Sequence, residues 1–380
     1  MGLIVGIDAS RNRSGGAKAH LIGVLTECDP KEHGISKIHV WAFRSLLDQL
    51  PDRPWLVKHN PVALEKFIFK QLVWQANTLE RELKSVGCDV LFTTDATTLC
   101  LFSPMVVLSQ DMLSYEPGVM QYFGYGVARL RLLVILVVQN WAFRRANGVV
   151  FLTSYAAKTI QKSCGVLRNF ICIPHGVDAV FRQSRPSPIW PNKKGRPVRC
   201  VYVSNTEMYK HQWVVVKAIS LLRKRGYDVT CDLVGGGTGP SQRLVQDAIA
   251  NADPNNIFIK QHDFLPHADL PALLDQMDIF VFASSCENMP VTLVEGMTAG
   301  LPIVCSNRGP MPEVLVDGGI YFDPEDAYAI AGAIEQIFQS PQTRLAISQR
   351  ARALSQQYTW KRCGHETLAF VAKTYLRTKK

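Results

Sequence analysis

Two glutamates, Glu287 and Glu295, stand eight positions apart in the segment Ser284–Pro302, across what reads as the start of a helix. The apolar run Asp278–Ala283 before them has the signature of a buried strand. Pro290 suits the first position of a helix, where its missing N–H costs nothing. The helix is expected to reach about Ala299 and stop at Gly300, with Pro302 beyond. Glu287 then lies on a loop at the carboxyl end of a strand, and Glu295 lies inside an apolar helix. An ionised carboxylate among Val291, Leu293, Val294 and Met297 is costly unless it has partners. The amides of the helix's first turn favour an anion such as a phosphate. One place can thus hold hydroxyl groups on carboxylates and a diphosphate on amides, which is the outline of a sugar nucleotide.

The segment resembles the donor site of the family 4 retaining glycosyltransferases. Glu-x7-Glu alone is weak, and a buried structural glutamate on an ordinary α/β helix would also give it. The flanking strand, Gly296-Met297-x-Ala299-Gly300-x-Pro302 and Ser306-Asn307-Arg308-Gly309-Pro310-Met311-Pro312-Glu313 make the match specific. The resemblance implies an α/β chain of the GT-B fold. In that fold two Rossmann-like domains with parallel sheets face a central cleft, and the last helix crosses back to the N-terminal domain.

It also implies roles for particular residues. Glu287 would hold sugar hydroxyls and Glu295 the ribose hydroxyls, with Asn288, Met289, Val291 and Thr292 completing the donor-facing loop and first turn. Lys210, after the strand that opens the second half, would neutralise the departing diphosphate; a plain surface lysine is the other reading. The family usually has an arginine five positions earlier, where this chain has Asn205. Either Lys210 acts alone with helix amides, or a neighbour such as His211 compensates. Gly235-Gly236-Gly237-Thr238-Gly239 differs from a dinucleotide fingerprint, because Pro240 follows and the strand before it is not the first of its unit. It reads as a tight turn bordering the nucleotide, which makes Gly236 a donor-site residue and a dehydrogenase a poor reading.

In the first half, Ser14-Gly15-Gly16-Ala17 lets a backbone approach a ligand at a helix start. The family resemblance sets Gly15 and Gly16 near the donor phosphate and acceptor. Gln110 stands where the family usually has a histidine lining the sugar. That leaves Asp111 to orient the acceptor or to cap a turn. His175, His262 and His267 lack metal-ligand spacing and Asp-x-Asp is absent, so neither a metal nor another cofactor is expected. The implied reaction transfers a hexose to a glycan or lipid-linked glycan hydroxyl, with retention. A sugar-nucleotide epimerase of similar fold and a noncatalytic carbohydrate-binding homologue are the alternatives.

Composition fits two α/β domains. The chain has 380 residues, 47% of them apolar, beyond the ~250–300 at which single cores stop growing. Its ten cysteines form no Cys-x-x-Cys and mostly sit in apolar stretches, as in a reducing compartment. Gly2–Asp8 runs straight into a strand pattern, with no secretory signal, so a cytoplasmic site is expected. The net charge of +10 is dispersed, with no aromatic-interleaved basic stripe of a nucleic-acid binder. The apolar stretch Ala128–Arg145 is too short and too interrupted by arginine to span a bilayer. It reads as a packed helix, with peripheral contact to an anionic membrane surface at the inner face as the alternative.

Strands and helices alternate, which predicts parallel sheets covered on both faces. Strands are expected at Leu3–Asp8, Lys37–Phe43, Val90–Thr94, Met105–Ser109, Gly148–Leu152 and Phe170–Ile173, with helices at Ala17–Glu27, Ala63–Val86, Gly126–Ala146 and Ser154–Ser163. The second half should add strands at Val198–Val203, Val229–Val234, Ile257–Lys260, Ile303–Ser306 and Gly319–Phe322. The expected division is an acceptor domain over 1–176, a linker over 177–197, a donor domain over 198–359 and a returning helix over 360–380.

Overall fold

The computed structural model describes residues 2–13, 15–183, 190–191 and 195–379. Two units emerge, one of Met1–Gly176 with Tyr358–Lys380 and one of Val177–Gln357. Ser14 and most of the expected polar linker (184–189 and 192–194) lie outside the described residues.

The first unit is built on β1 (Leu3–Asp8), β2 (Ile35–Trp41), β3 (Leu56–His59), β4 (Val90–Thr93), β5 (Met105–Leu108), β6 (Gly148–Phe151) and β7 (Phe170–Cys172). All pair in parallel in the order β3-β2-β1-β4-β5-β6-β7. The strands β4, β5 and β6 are buried at every position, as a sheet covered on both faces demands. Its connections hold α1 (Gly15–Glu27), α2 (Arg44–Leu47), α3 (Ile68–Asn77), α4 (Leu79–Ser85), α5 (Val127–Arg145) and α6 (Ser154–Cys164).

Two expectations fail here. β3 had no sequence signal, because Leu56-Val57-Lys58-His59 is a short, half-buried edge strand without alternation. The long helix expected over Ala63–Val86 is three pieces. A 3-10 turn at Val62–Glu65 ends where Lys66 and Phe67 turn extended, and Thr78 at φ −115° separates α3 from α4. Helix α5 differs from a packed core helix. Only Leu132, Gln139, Ala142 and Phe143 are buried along it. Among the described residues no helix is long and apolar enough to cross a membrane.

The second unit carries β8 (Val198–Val203), β9 (Val229–Val234), β10 (Ile259–His262), β11 (Ile279–Phe282), β12 (Ile303–Ser306) and β13 (Ile320–Phe322), parallel in the order β10-β9-β8-β11-β12-β13. Its helices are α7 (Gln212–Lys224), α8 (Pro240–Ala252), α9 (Leu270–Leu274), α10 (Val291–Ala299), α11 (Met311–Leu315), α12 (Ala327–Gln339) and α13 (Pro341–Ser355). β10 starts two residues later than expected. The Asp253 carboxylate takes the amides of Ile257, Phe258 and Ile259 at 2.7–2.8 Å and holds that stretch as the strand's lead-in. Pro290 is the cap of α10, not its first residue. It sits at φ −82°, ψ 79°, and its carbonyl accepts from Val294 N–H at 3.2 Å. Gly300 ends α10 in the left-handed conformation, as expected. Part of the expected linker belongs to this unit. Ala179–Gln183 forms a 3-10 turn with Phe181 fully buried, and Arg182 bonds Gln356 at 2.8 Å.

The chain then returns to the first unit through α14 (Trp360–Thr378). Thr359 caps it, accepting from Arg362 N–H at 3.2 Å. Trp360 lies against α1 so closely that a Cβ on Gly23 would sit 2.3 Å from its ring, and one on Gly176 2.2 Å from its backbone nitrogen. Gly23→Ala should therefore destabilise the first unit by about 1–3 kcal/mol, the usual cost of overpacking. Urea denaturation with hydrogen exchange resolved over α1 and α14 measures it, and unchanged protection there refutes the packing argument.

Candidate functional site

In the second unit the chain leaves β8 toward β9 on one side and leaves β11 toward β12 on the other, so β8 and β11 flank the point where strand order reverses. Ligands of open α/β sheets bind beyond the carboxyl ends of such strands. Lys210 follows β8 and Glu287 follows β11, and the two form an ion pair across this point. Their side chains are only 11% and 15% exposed, so each removes the cost of burying the other. The loops are tied together around them. Tyr202 donates its hydroxyl to Lys210 C=O at 2.8 Å, and Ser285 N–H donates to Tyr209 C=O at 2.8 Å. The Lys210 ammonium also lies 5.3 Å from the Tyr209 ring centre.

Beside it, His211 occupies a left-handed backbone (φ 50°) at the start of α7, with Nε2 2.9 Å from Ser285 Oγ. Burial pushes the His211 imidazole down to about 4, so at neutral pH it is uncharged. It does not replace the cation that Asn205 lacks.

Glu295, on α10, is 4% exposed. Its partner is a residue that sequence spacing did not single out. His267 Nε2 lies 2.7 Å from the Glu295 carboxylate, and His267 Nδ1 lies 3.7 Å from Asp178. Donating this hydrogen bond to the Glu295 carboxylate raises the His267 pKa above its ordinary value. Burial raises that of Glu295. Both groups thus hold their protons more tightly in the folded pair than they would apart. Nothing in the spacing could reveal His267, since it lies 28 residues away and reaches Glu295 only through folding.

The glycine turn after β9 is required by close approach. Gly235 has φ +117°, and a Cβ there would meet Ser204 C=O at 2.4 Å. Thr206 N–H donates to Gly236 C=O at 3.1 Å, so the turn rests on the loop that carries the exposed Asn205. At the start of α10, Asn288 and Met289 are buried, while Val291 and Thr292 are half-buried. The first-turn amides of Thr292 and Leu293 have no acceptor within the helix, and stand ready for an anion.

The remaining candidates belong to the first unit. Gly15 begins α1 at φ +62°, two residues before the expected start, and Gly16 has His175 Nε2 3.8 Å from where its Cβ would be. Asp111 is half-buried, and its Oδ1 accepts from Leu113 N–H at 2.9 Å, the local turn cap that was its other reading. Burial raises its carboxyl pKa. Gln110 donates to Thr94 C=O at 2.8 Å. Two groups of potential metal ligands also come together among the described residues. One is the buried set His20, His175 and Cys363, and the other the surface set Glu32, His33 and His365. Burial holds His20 down to about 4 and the Cys363 thiol up to about 12, so the first set is uncharged.

Residues 188–354 match the family model for glycosyl transferases group 1. That span lies within the second unit and makes it similar to glycosyltransferases of the family 4 type. Over 111 residues the chain is 34% identical to the O-antigen chain mannosyltransferase B of Escherichia coli, covering 29% of each protein. The chain spans 29–58% of the length of the first curated relatives that it matches. Among solved structures, a sucrose-phosphate synthase from Thermosynechococcus elongatus superposes with TM-score 0.78 at 14% identity, over 99% of both chains. Anabaena HepE in complex with UDP gives 0.70 at 18% identity, over 96% of this chain and 98% of that one. At such identities these likenesses establish the fold: two parallel-sheet Rossmann-like domains of the GT-B type.

The Glu295–His267 pair has a pH signature. A histidine whose pKa rises on folding contributes stability that is complete below the unfolded value of about 6.5 and is lost as pH rises through the folded value. The raised Glu295 pKa acts with the same sign, but its loss of stability begins at the lower unfolded carboxyl value of 4.5. The second unit should therefore lose stability as pH rises above about 6.5, and His267→Gln should flatten that slope. Denaturant midpoints at a series of pH values read it, and parallel slopes in the two proteins refute the pairing.

Proposed function

We propose that the chain is a retaining, metal-independent glycosyltransferase, moving a hexose from a nucleoside-diphosphate sugar to a hydroxyl of a glycan or lipid-linked glycan. The observation that carries this reading is the buried Lys210–Glu287 pair across the switch point of a group 1 domain. A cation and a carboxylate held there supply the two things a sugar nucleotide needs, charge for its diphosphate and acceptors for its hydroxyls. The solved HepE complex holds UDP, and one relative is named for building O-antigen chains. Both support a nucleotide donor and a glycan acceptor.

In the proposed mechanism the glycosidic bond to the diphosphate breaks as the sugar gains oxocarbenium character. Lys210 and the first-turn amides of α10 stabilise the phosphate charge that develops. The acceptor hydroxyl approaches from the same face and gives its proton to the departing phosphate oxygen, so configuration is retained. Glu287 orients sugar hydroxyls. Glu295 accepts both ribose hydroxyls, which would take the place of the His267 N–H on its carboxylate. On the first unit, Asp111, Gly15 and Gly16 would serve the acceptor.

Asn205 in place of the family's arginine favours one rival, a homologue that binds a sugar nucleotide without turning it over. Release of free nucleoside diphosphate from a panel of UDP-, GDP- and ADP-sugars separates the two readings, and transfer is the expected result. With the active donor, Glu295→Ala should weaken donor binding by about 2–4 kcal/mol, two charge-assisted hydrogen bonds' worth. Glu287→Ala should lower kcat more than it raises KM. The reverse pattern would exchange their roles.

Lys210 and helix amides supply the positive charge, so turnover should survive EDTA. Activity lost to EDTA and restored by magnesium or manganese refutes the leaving-group assignment.

A further inference from the structure

Helix α5 carries apolar side chains on all its sides, broken by Arg129, Arg131, Arg144 and Arg145. Its outward face is nonetheless bare. Leu130, Leu133, Val134, Val137 and Trp141 recur at helical spacing opposite the buried Leu132, Gln139 and Phe143, and they are 42–66% exposed. Single exposed apolar residues need no explanation, but a continuous stripe does.

A second apolar patch stands on the same side. The connections β3→β4 and β5→β6 step the same way along the sheet, so right-handed crossovers put α3 and α5 on one face, each starting at the carboxyl edge. At the start of α3, Phe67, Ile68 and Phe69 are 52–65% exposed. Lys70 and Arg129 stack on the exposed aromatics Phe67 and Tyr125, at 5.5 and 4.8 Å.

The charge along α5 and α6 has one sign, while at the start of α3 the exposed Glu65 accepts hydrogen bonds from Arg44 N–H and Asn60. Between Glu116 and Asp178 the sequence has no acidic residue, yet it holds seven arginines and lysines. Of these, Arg131, Lys158, Lys162 and Arg168 are exposed on α5, on α6 or just beyond it. Helix α6 lies on the same face, since β6→β7 steps the same way. The Glu116 carboxylate at the edge of this tract accepts a hydrogen bond from the Tyr155 hydroxyl at 2.6 Å.

We propose that this face of the first unit docks on an anionic lipid bilayer, with the α5 stripe and the start of α3 buried among the acyl chains' upper carbons and the cations on lipid phosphates. Apolar area together with unopposed positive charge is the complement of an anionic membrane surface. A protein partner would need acidic groups around an apolar centre, and a second copy of this face would set like charges against each other. The proposal does not depend on how the sugar-nucleotide site is read.

The test is co-sedimentation of the full chain, without nucleotide, with vesicles of phosphatidylcholine alone or of equal phosphatidylcholine and phosphatidylglycerol. The wild type should pellet with the anionic vesicles, stay in solution with the neutral ones, and be released by high salt. Arg131→Glu with Lys158→Glu should weaken binding about thirtyfold or more, from about 1 kcal/mol per basic residue at the surface. Leu130→Asn with Val137→Asn should abolish it, with an unchanged thermal melt. A wild type that ignores anionic vesicles overturns the proposal, as does an apolar variant that binds like the wild type. A wild-type dimer that the apolar variant turns into a monomer, by light scattering, would assign the face to a second copy instead.

Discussion

A charge taken out of water must meet a partner or lose its ionisation, and the second unit answers that demand twice within nine residues. Glu287 is met by Lys210 and Glu295 by His267. The rest of the unit can be understood as the frame that makes these meetings possible. β8 and β11 must be neighbours for Lys210 to reach Glu287, and α10 must lie on β11, where a Cβ on Gly296 would come within 2.8 Å of the Phe280 ring. Both partners are groups that a ligand can also engage. On the proposed reading, a substrate group could take the place of one partner without leaving the other charge bare.

The parts of this frame that were legible in the sequence are those fixed by local chemistry. Buried strands such as β5 and β11 announce themselves as short apolar runs, and Gly300 marks a helix end because few other residues adopt its backbone. The division of the chain at Gly176 coincides with a break in the alternating pattern. What the sequence concealed depends on distant contacts. β3 is a strand because β2 offers it an edge, not because Leu56–His59 prefers to extend. The lead-in to β10 is set by the Asp253 carboxylate, which reaches forward to three amides. His267 could not be read as Glu295's partner, because no spacing rule joins a 3-10 turn to a helix 28 residues on.

His211 shows why residue type alone is insufficient at such a site. As a letter it is a potential cation next to Lys210. Withdrawn from solvent, it is neutral, and its contribution is a hydrogen bond that fixes the Ser285 loop. The departure at Asn205 therefore leaves the site with less positive charge than the family pattern, and on the proposed reading Lys210 and backbone amides would carry the phosphate's stabilisation.

The first unit is discontinuous: Trp360 on α14 packs into the notch left by Gly23 and Gly176. That arrangement sets an order of events during synthesis. When residue 176 leaves the ribosome, the side of α1 that α14 covers has no partner, and none arrives until the intervening 181 residues (177–357) have been made. At ordinary elongation rates the delay is roughly 10–40 s. The second unit, continuous in sequence, can close its core in that interval while the first waits with an apolar flank open to chaperones. The last helix is thus the stitch that completes a domain begun at the other end of the chain.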